Sequence, residues 1–197
     1  MRYIVFDMEW NQPVVRKKRV NGLLGEIIQI GALALDEEMN ELDTFDVTIK
    51  PVFYKIMNRD VSELTQIKQD DIEEGVSFAE AIDAFRKWCG DDYCYISWSF
   101  SDMDMLINNL EKHEMDTDWL PECYDAQLMF DDQFTQDDRD YALSYALYYF
   151  NEKPDSAHDA LDDARSTVKV LRHMDMEEGL IEEFTYRYEL EMAEYDE

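Results

Sequence analysis

The amino-acid sequence predicts a mixed α/β domain in which a central sheet is flanked by helices. Three strand-like segments come first, and strands then alternate with helices, which is typical of such a sheet. The 197 residues, 46% of them hydrophobic, are enough for one domain with a full core. We find no repeat or linker, so we expect one domain over residues 1–176 and an extension over residues 177–197 packed on it.

The first three strands are predicted from the residue types and their alternation. Residues 2–8 are rich in β-forming side chains and predict a buried strand, and residues 25–36 predict a long second strand. Residues 41–51 alternate between apolar and polar side chains, as a half-buried third strand does. The segment DEEMNE supplies a turn, so these strands predict an antiparallel meander.

Helical spacing of apolar residues begins at Ser62 and continues, interrupted by strands, to residue 174. Ser77 and Glu80 form a capping box at the start of one helix. The later predicted elements are a strand at 92–100, a helix from Ser101 or Asp102, a short strand leading into a helix at 123–130, and helices at 139–150 and 158–174.

The C-terminal extension has apolar residues at helical spacing. They are Ile181, Phe184, Tyr188, Met192 and Tyr195. The pattern predicts an amphipathic helix, and we prefer the interpretation that it packs on its own domain. The alternative is a surface for a second copy or another protein partner.

The charge balance limits the class of partner. The chain has 18 basic and 47 acidic residues, a net charge of -29. Such a field repels phosphate backbones and disfavours a sequence-independent duplex binder. Nucleic acid would have to be captured locally, by metal ions, stacking or a small basic patch. The run from Arg16 to Arg19 is such a patch, although it also fits a solvated loop.

The cysteine pattern and the hydropathy bear on the compartment. Cys89, Cys94 and Cys123 form no CxxC pair and have no zinc-site spacing. No segment is long and apolar enough to span a bilayer. We therefore expect a reduced, cytoplasmic protein with no membrane partner.

One acidic motif differs from the others by its context. Asp-x-Glu occurs at residues 7–9, 36–38, 71–73 and 175–177, and the first and last copies are both Asp-Met-Glu. Only Asp7 and Glu9 end a buried strand, where an ionised carboxylate is costly unless it is paired or bound to metal. Residues i and i+2 of a strand share a face, so both carboxylates could bind Mg²⁺ or Mn²⁺.

Further candidate ligands follow the predicted strand at 92–100 and open the last long helix. Asp102 is the candidate after the predicted strand. It could instead be only the N-cap of the next helix, and Asp104 is the competing candidate for the ligand. His158 and Asp163 lie five residues apart, about 140° of helical rotation. They can reach one cleft only if His158 precedes the helix.

Together these segments resemble the DEDDh 3′–5′ exonuclease family over roughly residues 1–175. The motifs are FDMEW at the first strand, WSFSD after the middle strand and HDALDDA at the last helix. Asp159 stands where the tyrosine-type group has Tyr, which favours the histidine type. The most similar branch is the exoribonuclease-like one that includes the histone-mRNA exonuclease and KapD. The resemblance implies a ribonuclease-H-like fold, with three antiparallel strands followed by parallel ones.

The resemblance also implies a reaction. Asp7, Glu9, Asp102 and Asp163 would hold two divalent cations, Mg²⁺ or Mn²⁺, and His158 would be the general base. The substrate would be the 3′ end of single-stranded RNA or DNA, with RNA favoured, and the product a nucleoside 5′-monophosphate. The family also implies that the terminal nucleotide contacts Met8, Trp10 and Phe100. The alternatives are a binding module that has lost activity, and proofreading within a polymerase complex.

Overall fold

A five-stranded sheet forms the centre of the computed structural model, which describes residues 2–137, 139–154 and 158–186. Its strands are β1 (Arg2–Asn11), β2 (Glu26–Leu35), β3 (Glu41–Thr48), β4 (Tyr93–Ser97) and β5 (Cys123–Asp125). The order across the sheet is β3-β2-β1-β4-β5. The pairs β1–β2 and β2–β3 are antiparallel, and the pairs β1–β4 and β4–β5 are parallel. The predicted fold class is confirmed.

Helices cover both faces of this sheet. They are α1 (Arg59–Thr65), α2 (Gln69–Glu74), α3 (Phe78–Cys89), α4 (Ser101–Lys112), α5 (Ala126–Phe130), α6 (Leu143–Tyr149), α7 (Ala160–Leu171) and α8 (Met176–Gly179). The predicted capping box of Ser77 and Glu80 begins α3. In the described part of the chain, no helix has the length and apolarity needed to cross a membrane.

The alternation of β1 divides the hydrophobic core in two. Ile4 and Phe6 pack with α3 and α4 on one face of the sheet. Tyr3 and Val5 pack with α5, α6 and α7 on the other. Successive side chains of a strand point to opposite faces, so Asp7 continues the row of Tyr3 and Val5. This places its carboxylate on the α7 side.

Several elements are shorter than their apolar patterns predict. β4 ends at Ser97 because the chain then turns: the Ser97 hydroxyl donates to the carbonyl of Ser99, and the Phe100 N–H donates to a carboxylate oxygen of Asp125. The predicted helix over residues 139–150 begins only at Leu143. The contact between Phe100 and Asp125 ties the end of β4 to a segment 25 residues later in the chain.

The C-terminal extension departs from the predicted continuous helix. α8 ends at Gly179, one 3₁₀ turn spans Glu182–Phe184, and Thr185 then forms an antiparallel bridge with Tyr124. Phe184 is buried in the core on the α7 side, and this long-range contact outweighs the local helical spacing. Residues 187–197, which carry the rest of the predicted helix and the alternative surface for a partner, lie outside the described residues.

Candidate active site

The carboxylates of Asp7 and Glu9 lie in a cleft of about 450 Å³ beside the start of α7. Both residues are half-buried. In the antiparallel register of β1 and β2, Asp7 lies opposite Gly31 and Glu9 lies opposite Gln29. Directly opposed residues share a face of the sheet, so these β2 residues also face α7. They determine where α7 packs.

Gly31 allows α7 to approach the sheet closely. A Cβ atom at this position would lie 2.1 Å from the backbone nitrogen of Leu161 and 2.3 Å from the carbonyl carbon of Ala160. No other residue type fits without a shift of the helix backbone. The first turn of α7 therefore contacts the sheet next to Asp7.

Gln29 fixes the same turn by hydrogen bonds. Its Oε1 accepts from the backbone N–H of Ala160, and its Nε2 donates to Asp159 Oδ2 at 3.1 Å. Asp159 is the N-cap of α7, and its other carboxylate oxygen accepts from the N–H of Asp162. Gln29 is the one amide side chain in the apolar run of β2, and a buried amide is costly without hydrogen-bond partners. This is the signal in the sequence that could have indicated its role.

His158 precedes α7, as the spacing required. Its backbone has a φ of 64°, in the left-handed region that costs a non-glycine residue about 1–2 kcal/mol. The backbone N–H of His158 donates to Asp163 Oδ2 at 2.9 Å. Asp163 thus stabilises the turn that places the imidazole of His158 beside the Asp163 carboxylate.

Asp102 is buried, with 6% of its surface exposed, and joins α4 to β1. Its Oδ1 accepts from the backbone N–H of Met8 at 2.9 Å. The N-cap position of α4 is Phe100, so the alternative in which Asp102 caps that helix is wrong. The competitor Asp104 instead accepts a hydrogen bond from the Tyr186 hydroxyl.

The predicted site residues converge. Ligand atoms of Glu9, His158 and Asp163 all lie within 4.8 Å of one another. Asp7 and Asp102 line the same cleft. Among the residues that the structure describes, no Lys or Arg forms an ion pair with these carboxylates. Clustered, partly buried carboxylates are costly without a positive partner, and their oxygens suit hard divalent cations. The residues present therefore fit the divalent cations on which the family depends.

The pKa values of these carboxyl groups are raised, because ionising several partly buried carboxyl groups close together is costly. Burial, and then the charges of Asp163 and Asp102, raise the pKa of Glu9 to about 8. Burial raises the pKa of Asp102 to about 7, although the hydrogen bond from Met8 opposes the shift. Burial and the neighbouring Asp102 carboxylate raise the pKa of Asp7 well above its usual range. Bound cations would reverse this penalty by favouring the ionised forms.

Two of the three predicted substrate contacts line the cleft. Met8 and Trp10 do so, whereas Phe100 lies outside the lining, with its ring edge-on against Tyr186 at a centroid distance of 5.3 Å. Trp98 and Leu64 also line the cleft and were not predicted. Nothing local in the sequence marks these two, because they reach the cleft from a turn after β4 and from α1.

The second Asp-Met-Glu copy has an ordinary structural role. Asp175 is the N-cap of α8, and its carboxylate accepts from the N–H groups of Glu177 and Glu178. Asp175 and Glu177 are exposed, and neither lines the cleft. The contexts of the two copies differ in the structure as the sequence predicts.

The fold of this chain is similar to the folds of several solved nucleases. The fold is similar to that of cell-death related nuclease 4, at 16% identity and a TM-score of 0.77, covering 90% of this chain and 64% of that one. It is also similar to the nuclease domain of 3′hExo, a DEDDh family member bound to rAMP, at 17% identity and a TM-score of 0.78, covering 90% and 92%.

A third structure, E. coli exonuclease I in complex with a dT13 oligonucleotide, has 14% identity and a TM-score of 0.68, with 87% of this chain and 40% of that chain covered. The chain thus spans less than two thirds of the length of cell-death related nuclease 4 and of exonuclease I. No curated protein sequence matches. A profile of the exonuclease family RNase_T matches residues 4–171. Because this profile covers most of the 197 residues, the chain belongs to the RNase_T exonuclease family.

Proposed function

We propose that this protein removes nucleoside 5′-monophosphates from the 3′ end of single-stranded nucleic acid, with RNA favoured over DNA. One observation carries the proposal: ligand atoms of Glu9, His158 and Asp163 lie within 4.8 Å of one another in a cleft that Asp7 and Asp102 also line. This set supplies both the oxygen ligands and the proton acceptor that phosphodiester hydrolysis needs.

The four carboxylates would hold two divalent cations, Mg²⁺ or Mn²⁺. Asp7 and Glu9 reach the cleft from β1, Asp102 from α4 and Asp163 from α7. When bound, such ions activate water and stabilise the leaving oxygen of an in-line displacement. Ligands from three separate elements also make the site depend on the packing of α7 against the sheet.

His158 would accept the proton of the attacking water. Its side chain is exposed at the rim of the cleft, where a water molecule can reach it. The hydrogen bond from its backbone N–H to Asp163 stabilises the turn that carries the imidazole. General bases of this kind contribute about 10²–10⁴-fold to a rate.

The terminal nucleotide would lie against Met8, Trp10 and Trp98, which line the cleft. Stacking on an indole contributes about 1–3 kcal/mol per base and discriminates little between bases. The preference for RNA follows the 3′hExo nuclease domain, whose structure contains rAMP, and a related 3′-exonuclease structure described as recognising a histone mRNA stem-loop.

The test is cleavage of matched 20-nucleotide RNA and DNA strands labelled at either end, with Mg²⁺ or Mn²⁺. We expect the 5′ label to give a ladder that shortens in steps, and the 3′ label to appear at once in a mononucleotide. EDTA should abolish both, and RNA should give the higher kcat/KM. Cleavage that starts internally or at the 5′ end would contradict the proposal, and binding without cleavage would favour an inactive binding module.

A further inference from the structure

The basic residues of this acidic chain are concentrated in two segments. Residues 13–20 and 50–59 together contain seven of the 18 basic residues and none of the 47 acidic ones. In the first segment they are Arg16, Lys17, Lys18 and Arg19, and in the second Lys50, Lys55 and Arg59. The structure brings the two segments together, where the backbone N–H of Val20 donates to the Tyr54 hydroxyl and both segments line one groove.

These segments enclose a groove of about 300 Å³ that is separate from the catalytic cleft, and we call it the basic groove. Its lining includes Val14, Val15, Phe53 and Ile56, together with Lys18 and Lys55. The four apolar side chains are between 37% and 69% exposed. Both lysines are exposed, and neither forms an ion pair with any residue that the structure describes.

Buried polar side chains hold the walls of the basic groove. Asn11, which is fully buried, donates from Nδ2 to the carbonyls of Tyr54 and Ile56. Glu26, only 1% exposed, accepts from the backbone N–H groups of residues 52–54. The Tyr54 hydroxyl accepts from the N–H of Val20 and so joins the two segments. The groove is therefore an ordered part of the fold.

The basic groove is connected to the catalytic cleft through β1 and α1. Asn11, which fixes one wall of the groove, follows Glu9 on β1 by two residues, about 7 Å along the strand. Its Oδ1 also accepts from the N–H of Asn58, the N-cap of α1, and Leu64 of α1 lines the catalytic cleft. A strand whose 3′ end occupies the cleft can thus reach the groove within a few nucleotides.

We infer that the basic groove binds the single strand upstream of its 3′-terminal nucleotide, with phosphates at Lys18 and Lys55 and bases against Phe53 and its apolar neighbours. This inference rests on the proposed function, since it names the second subsite for the same substrate. Paired ammonium groups and exposed apolar surface suit an unstacked polyanion, whose phosphates and bases alternate. The net charge of -29 disfavours binding of such a strand where no cation faces it.

The test compares a long and a minimal substrate in the full chain. The long substrate is a 20-nucleotide oligouridylate, and the minimal one is the p-nitrophenyl ester of thymidine 5′-monophosphate, which has no upstream nucleotides. The variants are Lys18→Glu and Lys55→Glu, and the control is Lys87→Glu, an equal charge change at an exposed residue of α3. Anisotropy of the labelled strand measures binding separately, in a His158→Ala background.

We expect each groove variant to raise KM for the oligouridylate about tenfold, and to lower the salt dependence of binding by about 0.7 in log–log slope. The kcat and KM values for the ester should match those of the wild type. The control Lys87→Glu should leave KM for both substrates near its wild-type value. Equal changes of KM for the oligouridylate in the groove variants and the control variant would overturn the inference. A rise in KM for the ester as large as the rise for the oligouridylate would also overturn it. A protein that binds the strand through the groove but cleaves neither substrate would contradict the proposed function alone.

Discussion

Substitution of Glu9 by Gln should stabilise the metal-free protein at neutral pH, because it removes a carboxyl group that the fold disfavours in its ionised form. The pKa of Glu9 is raised from 4.5 to about 8 by burial and by the charges of Asp163 and Asp102. The folded state therefore binds a proton that the unfolded state releases. The stability contributed by this group is complete below pH 4.5 and is lost as the pH rises to about 8.

The magnitude follows from the size of the shift. One pKa unit is worth about 1.36 kcal/mol, so at pH 7 the proton uptake costs about 3 kcal/mol and at pH 5 less than about 1 kcal/mol. Glu9 faces a cleft open to water, which screens part of this penalty. We expect Glu9→Gln to raise the free energy of unfolding by about 2 kcal/mol at pH 7, relative to its effect at pH 5.

Urea unfolding in EDTA at pH 5 and pH 7 measures this difference. The matched control is Glu177→Gln, which changes the same residue type in the exposed Asp-Met-Glu copy. Mn²⁺ should stabilise the wild type more than Glu9→Gln, since the variant lacks one ligand. An effect of Glu9→Gln that is the same at both pH values, or equal to that of Glu177→Gln, would refute the reasoning.

Three further substitutions test how α7 is positioned and which acidic motif is catalytic. Gly31→Ala should lower the free energy of unfolding by about 1–3 kcal/mol and kcat by about 10²-fold, since its Cβ would displace the first turn of α7. A variant with the thermal stability and the kcat of the wild type would contradict this prediction. Gln29→Leu should cost about 1–3 kcal/mol, because the N–H of Ala160 and the Asp159 carboxylate lose a buried partner, as urea unfolding can check. Asp175→Ala should reduce stability by about 1 kcal/mol through loss of the α8 cap and leave kcat/KM unchanged.

The sequence singles out three of the candidate site residues, Asp7, Glu9 and His158, because a local pattern marks the place of each. Asp7 and Glu9 end a run of β-forming residues, and a carboxylate at the end of a buried strand needs a partner. His158 follows the Pro154 loop, which predicts that it precedes the helix, as it does. The resemblance to the family then supplied the grouping that no single motif could.

The features that support the site could not be predicted, because they depend on contacts between distant segments. The roles of Gln29 and Gly31 follow from the β1–β2 register and from the depth at which α7 packs. Phe100 lies outside the lining of the cleft, and its ring contacts that of Tyr186, which is 86 residues later in the chain. Similarly, helical spacing gave a wrong prediction for residues 180–186, where a 3₁₀ turn and the bridge from Thr185 to Tyr124 replace the helix.

The two Asp-Met-Glu copies offer the most direct test of the central claim, that the cleft of Asp7, Glu9, Asp102, His158 and Asp163 is a metal-dependent exonuclease site. The measurement is kcat/KM for release of nucleoside 5′-monophosphate from single-stranded RNA in Mn²⁺, for Asp7→Ala, His158→Ala and Asp175→Ala. We predict loss of at least about 10²-fold for the first two and wild-type activity for the third. Activity that survives Asp7→Ala and His158→Ala, or that disappears with Asp175→Ala in a folded protein, would contradict the account.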